Sequence, residues 1–248
     1  VSNSLTLTGV GLFDSITSFD AETSIDFIGG VSSSGTYEFG GSAGGTFLDL
    51  GGVFALDLKK HIKSEAIYPN DLIDNRGLID DLQDFDGTGS VDVNAITEVN
   101  VTQDDPSSGS ATYAGFQTFA NGTYKGRGFK FRTTLTSGDP AQTIRVTELG
   151  YTASLQRRTE QNATAIASGA GQKNVTFDNP FFVGTSSLLG ANSHLPSVGI
   201  TALNMASGDI FELSNVTSTG FSVHFKNSSG ASIDRNFNFT AIGFGKGG

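Results

Sequence analysis

The sequence contains no cysteine and no tryptophan, and it has only five prolines and three histidines among 248 residues. Without cysteine the chain can form neither disulfides nor thiolate metal sites, and thiolate catalysis is excluded. Secreted lectins of this size more often carry disulfides, so the composition favours a protein that folds in a reducing compartment. Five prolines are too few for a proline-rich stalk.

Charge is also scarce. Charged residues make up 16 % of the chain, against roughly 25 % in typical soluble domains. The 25 acidic and 15 basic residues give a net charge of −10, which repels phosphate backbones and anionic lipid surfaces. No run of 18 apolar residues and no signal peptide is apparent. We therefore expect no nucleic-acid partner and no membrane insertion, and a polar surface built from Ser, Thr, Asn and Gly, as in extracellular and virion β-proteins.

Glycine and phenylalanine are abundant, with 33 and 20 residues. Near the C-terminus, residues 220–225 alternate strictly, which places Phe221, Val223 and Phe225 on one face of a strand and His224 on the polar face. Residues 236–240 alternate in the same way. A period of two between Gly, Asn and Ser turns predicts half-buried antiparallel strands joined by hairpins.

The same pattern predicts strands in the rest of the chain. They are expected at 5–7, 53–58, 95–102, 116–119, 128–135, 143–155, 198–202 and 210–213. In the strand at 143–155, Ile144 and Val146 are predicted on the face opposite Leu149 and Tyr151. The Gly/Ser tracts at 29–45 are interpreted as short strands with tight turns, with a flexible linker as the alternative.

A polar segment that ends in glycine, residues 157–171, separates two groups of predicted strands. We place a domain boundary there, near residue 160. The predicted fold class is all-β, with two antiparallel β-sandwich, jelly-roll-like modules in tandem, at residues 1–160 and 161–248.

The segment 71–87 contains six acidic residues among apolar ones and predicts either a short helix at 78–83 or a long irregular loop. Read as an EF-hand loop from Asp84, Asp86 and Gly89 fit the calcium-binding pattern. Thr88 and Ala95 do not, because those positions call for Asp or Asn and for a bidentate Glu. A solvated turn is the preferred interpretation, and no metal site is assigned.

The three histidines, His61, His194 and His224, lie in no HExxH or GxSxG motif. Catalytic carboxylate pairs meet only in space, so no pair can be chosen from the sequence. We predict that the protein is not an enzyme, and we assign no catalytic residue and no cofactor.

A sugar-binding site needs an aromatic platform, and without tryptophan only tyrosine or phenylalanine can supply it. Tyr113 and Tyr124 are the candidate platforms, and the loop Asn192–Ser193–His194 offers the Asn and His side chains that often flank a bound sugar. None of them is distinguishable in sequence from an ordinary turn residue, so no receptor-binding residue is assigned.

Three phrases of the C-terminal region carry a family resemblance. They are VGITALNMASGD at 198–209, the Thr-Gly-Phe strand at 219–221, and FNFTAIGFG at 237–245. In this order and spacing they resemble the C-terminal end of phage host-specificity proteins, the central tail-tip proteins of long-tailed phages. The acidic segment 71–87 and the layout of 95–155 are similar to the same family, so the resemblance extends over 53–248.

The resemblance implies a virion component that helps the phage recognise and attach to its host, and it implies that the second module, residues 161–248, is lectin-like and binds the receptor. The implied partners are a bacterial surface receptor (a glycan or an outer-membrane protein), other tail proteins, and two further copies of the chain in a homotrimer. The implied location is the virion tail, assembled in the host cytoplasm. Two alternatives stay open: a purely structural tail-tip or baseplate adaptor, and a virion-associated glycan depolymerase. Because residue 1 is valine, we also expect a processed chain or a piece of a longer one.

Overall fold

The computed structural model describes residues 4–10, 34–40, 47–67, 93–138 and 143–246. These residues form strands, turns and irregular loops without a helix, so none of them could cross a membrane as a helix. Every strand pair is antiparallel. The predicted all-β fold class is therefore confirmed. The strands are β1 (Ser4–Val10), β2 (Ser34–Phe39), β3 (Leu48–Ile67), β4 (Val93–Thr102), β5 (Gln117–Thr118), β6 (Gly122–Ser137), β7 (Thr143–Gln161), β8 (Ile166–Ala167), β9 (Lys173–Thr176), β10 (Ser197–Leu203), β11 (Ile210–Ser214), β12 (Gly220–Lys226) and β13 (Asn236–Phe244).

The strands form two sheets. The larger has the order β10-β13-β7-β3-β6-β4-β5, with β1, β2 and β8 on side branches, and the smaller has the order β11-β12-β9. Strand β7 connects both halves of the larger sheet, since its first part pairs with β3 and its last residues pair with β13. The end of β13 enters between β7 and β3, where the Gly245 N–H donates to Gln156 O (3.0 Å) and the Ala55 N–H donates to Lys246 O (3.1 Å).

Strand β6 shows why the alternating pattern folds as it does. Phe129, Phe131 and Leu135 are buried, whereas Lys130 and Arg132 alternate with them and are half-buried, as the sequence predicts. In an extended chain, successive side chains point to opposite faces of the sheet. The apolar side chains of β6 are therefore buried on one face, while the cationic groups stay in contact with water on the other. The buried face of β6 contributes to the first core cluster. The buried members of this cluster come from residues 39–155, with Phe182 in addition.

Strand β7 departs from the predicted facing of its side chains. Val146 and Leu149 pack against the same core, although an uninterrupted strand would place them on opposite faces. The pairing of β7 with β3 explains this facing. Glu148 lies opposite Lys63 and Val146 lies opposite Ser64, so no residue of β3 lies opposite Thr147. This β-bulge shifts the alternation by one residue and turns both apolar segments of the strand inward.

The second core cluster lies between the small sheet and β13. Phe225 lies 5.7 Å from Phe237 and Phe221 lies 5.2 Å from Phe239, ring centre to ring centre. The phenylalanine faces that the sequence predicts for β12 and β13 thus pack against each other. The polar face of β12 is less open than predicted, because β12 is the central strand of its sheet. Ser222 is only 4 % exposed and donates its hydroxyl hydrogen to Asn174 Oδ1 (2.8 Å).

The division at residue 160 stays a prediction. The residues of the first core cluster end at Leu155 except for Phe182, and those of the second begin at Val175. However, the pairing of β7 with β13 continues through residues 157–161. Phe182 also packs edge-on against Phe54, with ring centres 5.9 Å apart. The two cores are therefore distinct, but hydrogen bonds and one aromatic contact join them.

The turn between β10 and β11 depends on one carboxylate. Asp209 accepts hydrogen bonds from the Ala206 N–H (2.8 Å) and from Arg235 Nη2 (2.6 Å) and Nε (2.9 Å). The backbone hydrogen bond, and next to it the Arg235 guanidinium, hold the pKa of Asp209 below its ordinary value of 3.8. The ionised carboxylate is thus favoured by folding.

We expect Asp209→Asn to weaken the acid dependence of folding. A depressed folded pKa contributes stability that is fully present above pH 3.8 and is lost as the pH falls through the lower, folded value. The variant should be less stable at neutral pH, and its unfolding free energy should fall less steeply below pH 3.8 than that of the wild type. Urea titrations at a series of pH values measure both. Asp178→Asn, at an exposed side chain, is the control, and an Asp209→Asn profile parallel to the wild type would contradict the prediction.

Candidate functional site

The three histidines lie apart, each beside a hydroxyl group. His61 Nε2 contacts Thr152 Oγ1 (2.7 Å), and His224 Nε2 contacts Ser232 Oγ (2.8 Å). His194 Nδ1 lies 2.8 Å from Ser193 Oγ. Ser193 Oγ also lies 2.8 Å from Gly190 O, so the imidazole and this carbonyl compete for the single hydroxyl hydrogen.

The acidic segment 71–87 and the candidate calcium loop from Asp84 lie outside the described residues. Within the described ranges, no three His, Asp or Glu side chains converge to hold a metal ion.

An open cleft of about 650 Å³ lies where β4 ends, β6 begins and the β4–β5 loop folds back between them. Its volume is within the roughly 300–1,000 Å³ of ligand sites in proteins. Tyr113 and Tyr124, which the sequence offers as sugar platforms, both line it. The third candidate, the loop Asn192–Ser193–His194, is not part of the cleft. The polar lining comprises Gln103, Asp104, Gln117 and Lys125, together with hydroxyls of threonine.

The β4–β5 loop is held to the sheet by backbone hydrogen bonds and by polar side chains. The Ala114 N–H donates to Val101 O (3.0 Å), and the Gly115 N–H donates to the side chain of Asn100 (2.9 Å), which is buried in β4. The Thr102 hydroxyl donates to Thr112 O (2.7 Å). The loop thus keeps its shape without a ligand, and the cleft wall it forms is preorganised.

An arginine fixes the start of this loop. Arg127 on β6 forms ion pairs with Asp105 (2.7 Å) and with Asp49 on β3 (3.1 Å). Hydrogen bonds from Ser107, with Arg127 acting in the same direction, hold the pKa of Asp105 below its usual range. The chain turns at Asp104–Gly109, where the Ser108 N–H donates to Asp105 O (3.0 Å).

The tyrosines are oriented by their surroundings. Lys130 Nζ lies 4.4 Å from the centre of the Tyr113 ring and covers one of its faces. The Tyr113 hydroxyl is buried and has no hydrogen-bond partner among the described residues. Burial raises the pKa of Tyr113, and the negative charge of Asp49 adds to this effect. Tyr124 donates its hydroxyl hydrogen to Ala120 O (2.7 Å) and packs edge-on against Phe119.

Several polar groups of the cleft keep bonding capacity for a ligand. The Gln117 amide and the Lys125 ammonium have no partner in the described part of the chain. Asp104 uses Oδ2 for the Thr112 N–H (2.9 Å), and Gln103 uses Nε2 for Lys125 O (2.9 Å). Asp104 Oδ1 and the Gln103 carbonyl oxygen are left to accept hydrogen bonds from a bound molecule.

The sequence did not single out Gln103, Asp104, Gln117 or Lys125. They come from the end of β4, from β5 and from the start of β6. Each is an ordinary polar residue in an alternating or turn segment, so no local signal marks it. Only the pairing of β4 with β5 and β6 brings the four to one cleft.

The chain matches no protein-family model, no curated protein sequence and no solved structure.

Proposed function

We propose that the chain is the C-terminal part of a phage tail-tip host-specificity protein and that it helps the virion recognise and attach to the surface of its host. The phrases at 198–209 and 237–245 motivate the family. The observation that carries the binding role is the preorganised cleft with its two tyrosines and its unused polar groups. A non-covalent binding protein needs such a site and no catalytic machinery.

The scaffold suits this role. The cleft lies between β4, β6 and a loop that hydrogen bonds hold to β4, which keeps the binding groups in fixed positions. Contacts through one open cleft are individually weak, and display of several copies multiplies them. We include a homotrimer and docking to other tail proteins in the proposal. On β11, an edge strand of the small sheet, Ile210, Phe211 and Leu213 are 52 %, 39 % and 37 % exposed, which supports contact with another subunit.

The test is attachment of the purified chain to bacteria. Light scattering first gives its mass in solution. Fluorescently labelled protein is then mixed with a panel of bacterial strains, and strains that bind it are challenged with their phages in the presence of excess unlabelled protein. We expect a trimer that binds a subset of strains and slows phage adsorption to those strains.

Heat-denatured protein and strains that do not bind serve as controls. Protein that binds no strain, or that binds strains without slowing phage adsorption to them, would overturn the proposal in favour of a structural adaptor. Release of reducing sugar from surface polysaccharide would overturn it in favour of a depolymerase.

A further inference from the structure

We propose that the cleft between Tyr113 and Tyr124 binds an uncharged glycan, with at least one pyranose ring lying against a tyrosine side chain. This inference rests on the proposed attachment function and specifies the receptor chemistry that one site on the chain recognises. It assigns ligand contacts to Gln117, Lys125 and Asp104, which no sequence motif marks.

The balance of hydrogen-bonding groups identifies the ligand class. The Lys125 ammonium and the Gln117 amide nitrogen supply donors. Asp104 Oδ1 and the Gln103 carbonyl oxygen supply acceptors, because only the other polar atom of each side chain is used within the protein. The Gln117 carbonyl oxygen is a third acceptor. A ligand that satisfies such a mixed set must itself both donate and accept at several adjacent positions. Sugar hydroxyls do this, since each carries one hydrogen and two lone pairs.

The tyrosines supply the apolar half of the recognition. Tyr113 and Tyr124 are half-buried and line the same cleft as the polar groups. A pyranose ring presents C–H groups on its faces and hydroxyls around its edge, so it can contact a tyrosine ring and the polar rim simultaneously. Lys130 covers one face of Tyr113 and leaves at most the other for a ligand. Amphipathic recognition of this kind is what a tyrosine-lined pocket with few polar groups provides.

The charges exclude two competing ligand classes. An anion such as phosphate would face the Asp104 carboxylate beside the single Lys125 ammonium, in a protein with a net charge of −10. A purely apolar ligand would displace water from the ammonium, carboxylate and amide groups without replacing its hydrogen bonds, which costs free energy for each group. A neutral polyhydroxylated ring meets neither penalty.

Saturation-transfer NMR on the full chain tests the proposal, because it detects weak binding at any oligomer size. The probes are the trisaccharides maltotriose, mannotriose, galactotriose and tri-N-acetylchitotriose, with sorbitol as an acyclic polyol and glucuronate as an anionic sugar. Inorganic phosphate is tested as a competitor. We expect saturation transfer to at least one neutral trisaccharide, strongest at its ring C–H protons, and no displacement by phosphate.

Variants locate the site. Gln117→Ala and Lys125→Ala each remove one hydrogen-bond partner of the ligand, and a hydrogen bond worth about 0.5–1.5 kcal/mol corresponds to roughly two- to twelvefold weaker binding. Tyr124→Leu removes a ring surface and should weaken binding by about tenfold. Gln172→Ala and Lys173→Ala are the matched controls, since they remove the same residue types next to and within β9, in the other sheet. Their affinity should equal that of the wild type.

His194→Ala is a second control. The loop Asn192–Ser193–His194 lies outside the cleft, so saccharide binding should be retained. Binding of no neutral trisaccharide, equal affinity of Gln117→Ala, Lys125→Ala and the wild type, or displacement by phosphate would each overturn the proposal.

The glycan cleft and the attachment function can fail independently in these experiments. If wild-type protein binds cells and Gln117→Ala and Lys125→Ala bind them equally well, the glycan cleft fails and attachment stands. If trisaccharides bind at the cleft but the protein neither binds cells nor slows adsorption, the attachment function fails and the cleft stands.

Discussion

Replacing Phe131 by alanine should lower the free energy of unfolding by about 3–5 kcal/mol, the range for a fully buried aromatic side chain. Phe131 is 0 % exposed. Its ring centre lies 4.3 Å from that of Tyr151, 5.2 Å from Phe119 and 5.5 Å from Phe39. These partners come from β7, the segment after β5, and β2, so the ring connects distant parts of the chain. Urea denaturation followed by circular dichroism measures the loss.

The cost should be large because the site cannot collapse. The ring is enclosed by side chains from paired strands, whose positions are held by backbone hydrogen bonds, so much of the space it leaves would stay empty. Ile96→Ala is the control, since Ile96 lies on the neighbouring strand β4 but is 44 % exposed. We expect it to change stability by less than about 1 kcal/mol. Equal losses in the two variants would contradict the description of this core.

Replacing Gly220 by alanine should disrupt the pairing of β12 with β9. A Cβ atom at Gly220 would lie 2.2 Å from Val175 O and 3.2 Å from Thr176 Cα, both backbone atoms of β9. A backbone atom cannot rotate away as a side chain can, so β9 has to shift, and the register that begins with Gly220 opposite Thr176 is strained. We expect a loss at or above the upper end of the roughly 1–3 kcal/mol typical of overpacking.

Hydrogen exchange of the β9 amides, together with urea denaturation, tests this prediction. Gly199→Ala is a close control, because Gly199 is also a strand glycine. Its Cβ would meet no atom nearer than Thr240 O at 3.9 Å. That variant should be as stable as the wild type or more stable by up to about 1 kcal/mol, since alanine reduces the freedom of the unfolded chain. Undiminished protection of β9 in Gly220→Ala would show that the two strands are not as close as described.

The cleft illustrates how far sequence reasoning reaches. Tyr113 and Tyr124 are candidates because a protein without tryptophan must use another aromatic residue as a sugar platform. The loop Asn192–Ser193–His194 is a candidate because Asn and His often flank a bound sugar, yet it lies outside the cleft. The composition indicates which residue types could form a sugar platform. It does not show that Tyr113 and Tyr124, 11 positions apart in the sequence, line one cleft, because the folding of the chain between β4 and β6 brings them together.

What the sequence by itself determined is the class of fold and the position and facing of most strands. Alternation of apolar and polar side chains is a local property, and an extended chain with one buried face is the conformation that satisfies it, as in β6, β12 and β13. The facing of Val146 is an exception. The β-bulge at Thr147 turns Val146 to the face opposite the predicted one, and this bulge depends on how β7 pairs with β3.

Only the tertiary structure decided how the strands are ordered and what they bring together. The end of β13 lies between β7 and β3, and Phe182 packs against Phe54 across more than a hundred residues of chain. Gln103, Asp104, Gln117 and Lys125 meet at one cleft for the same reason. Backbone hydrogen bonds can pair any two extended segments. The alternating pattern of one segment therefore does not show which distant segment it pairs with, or in which register.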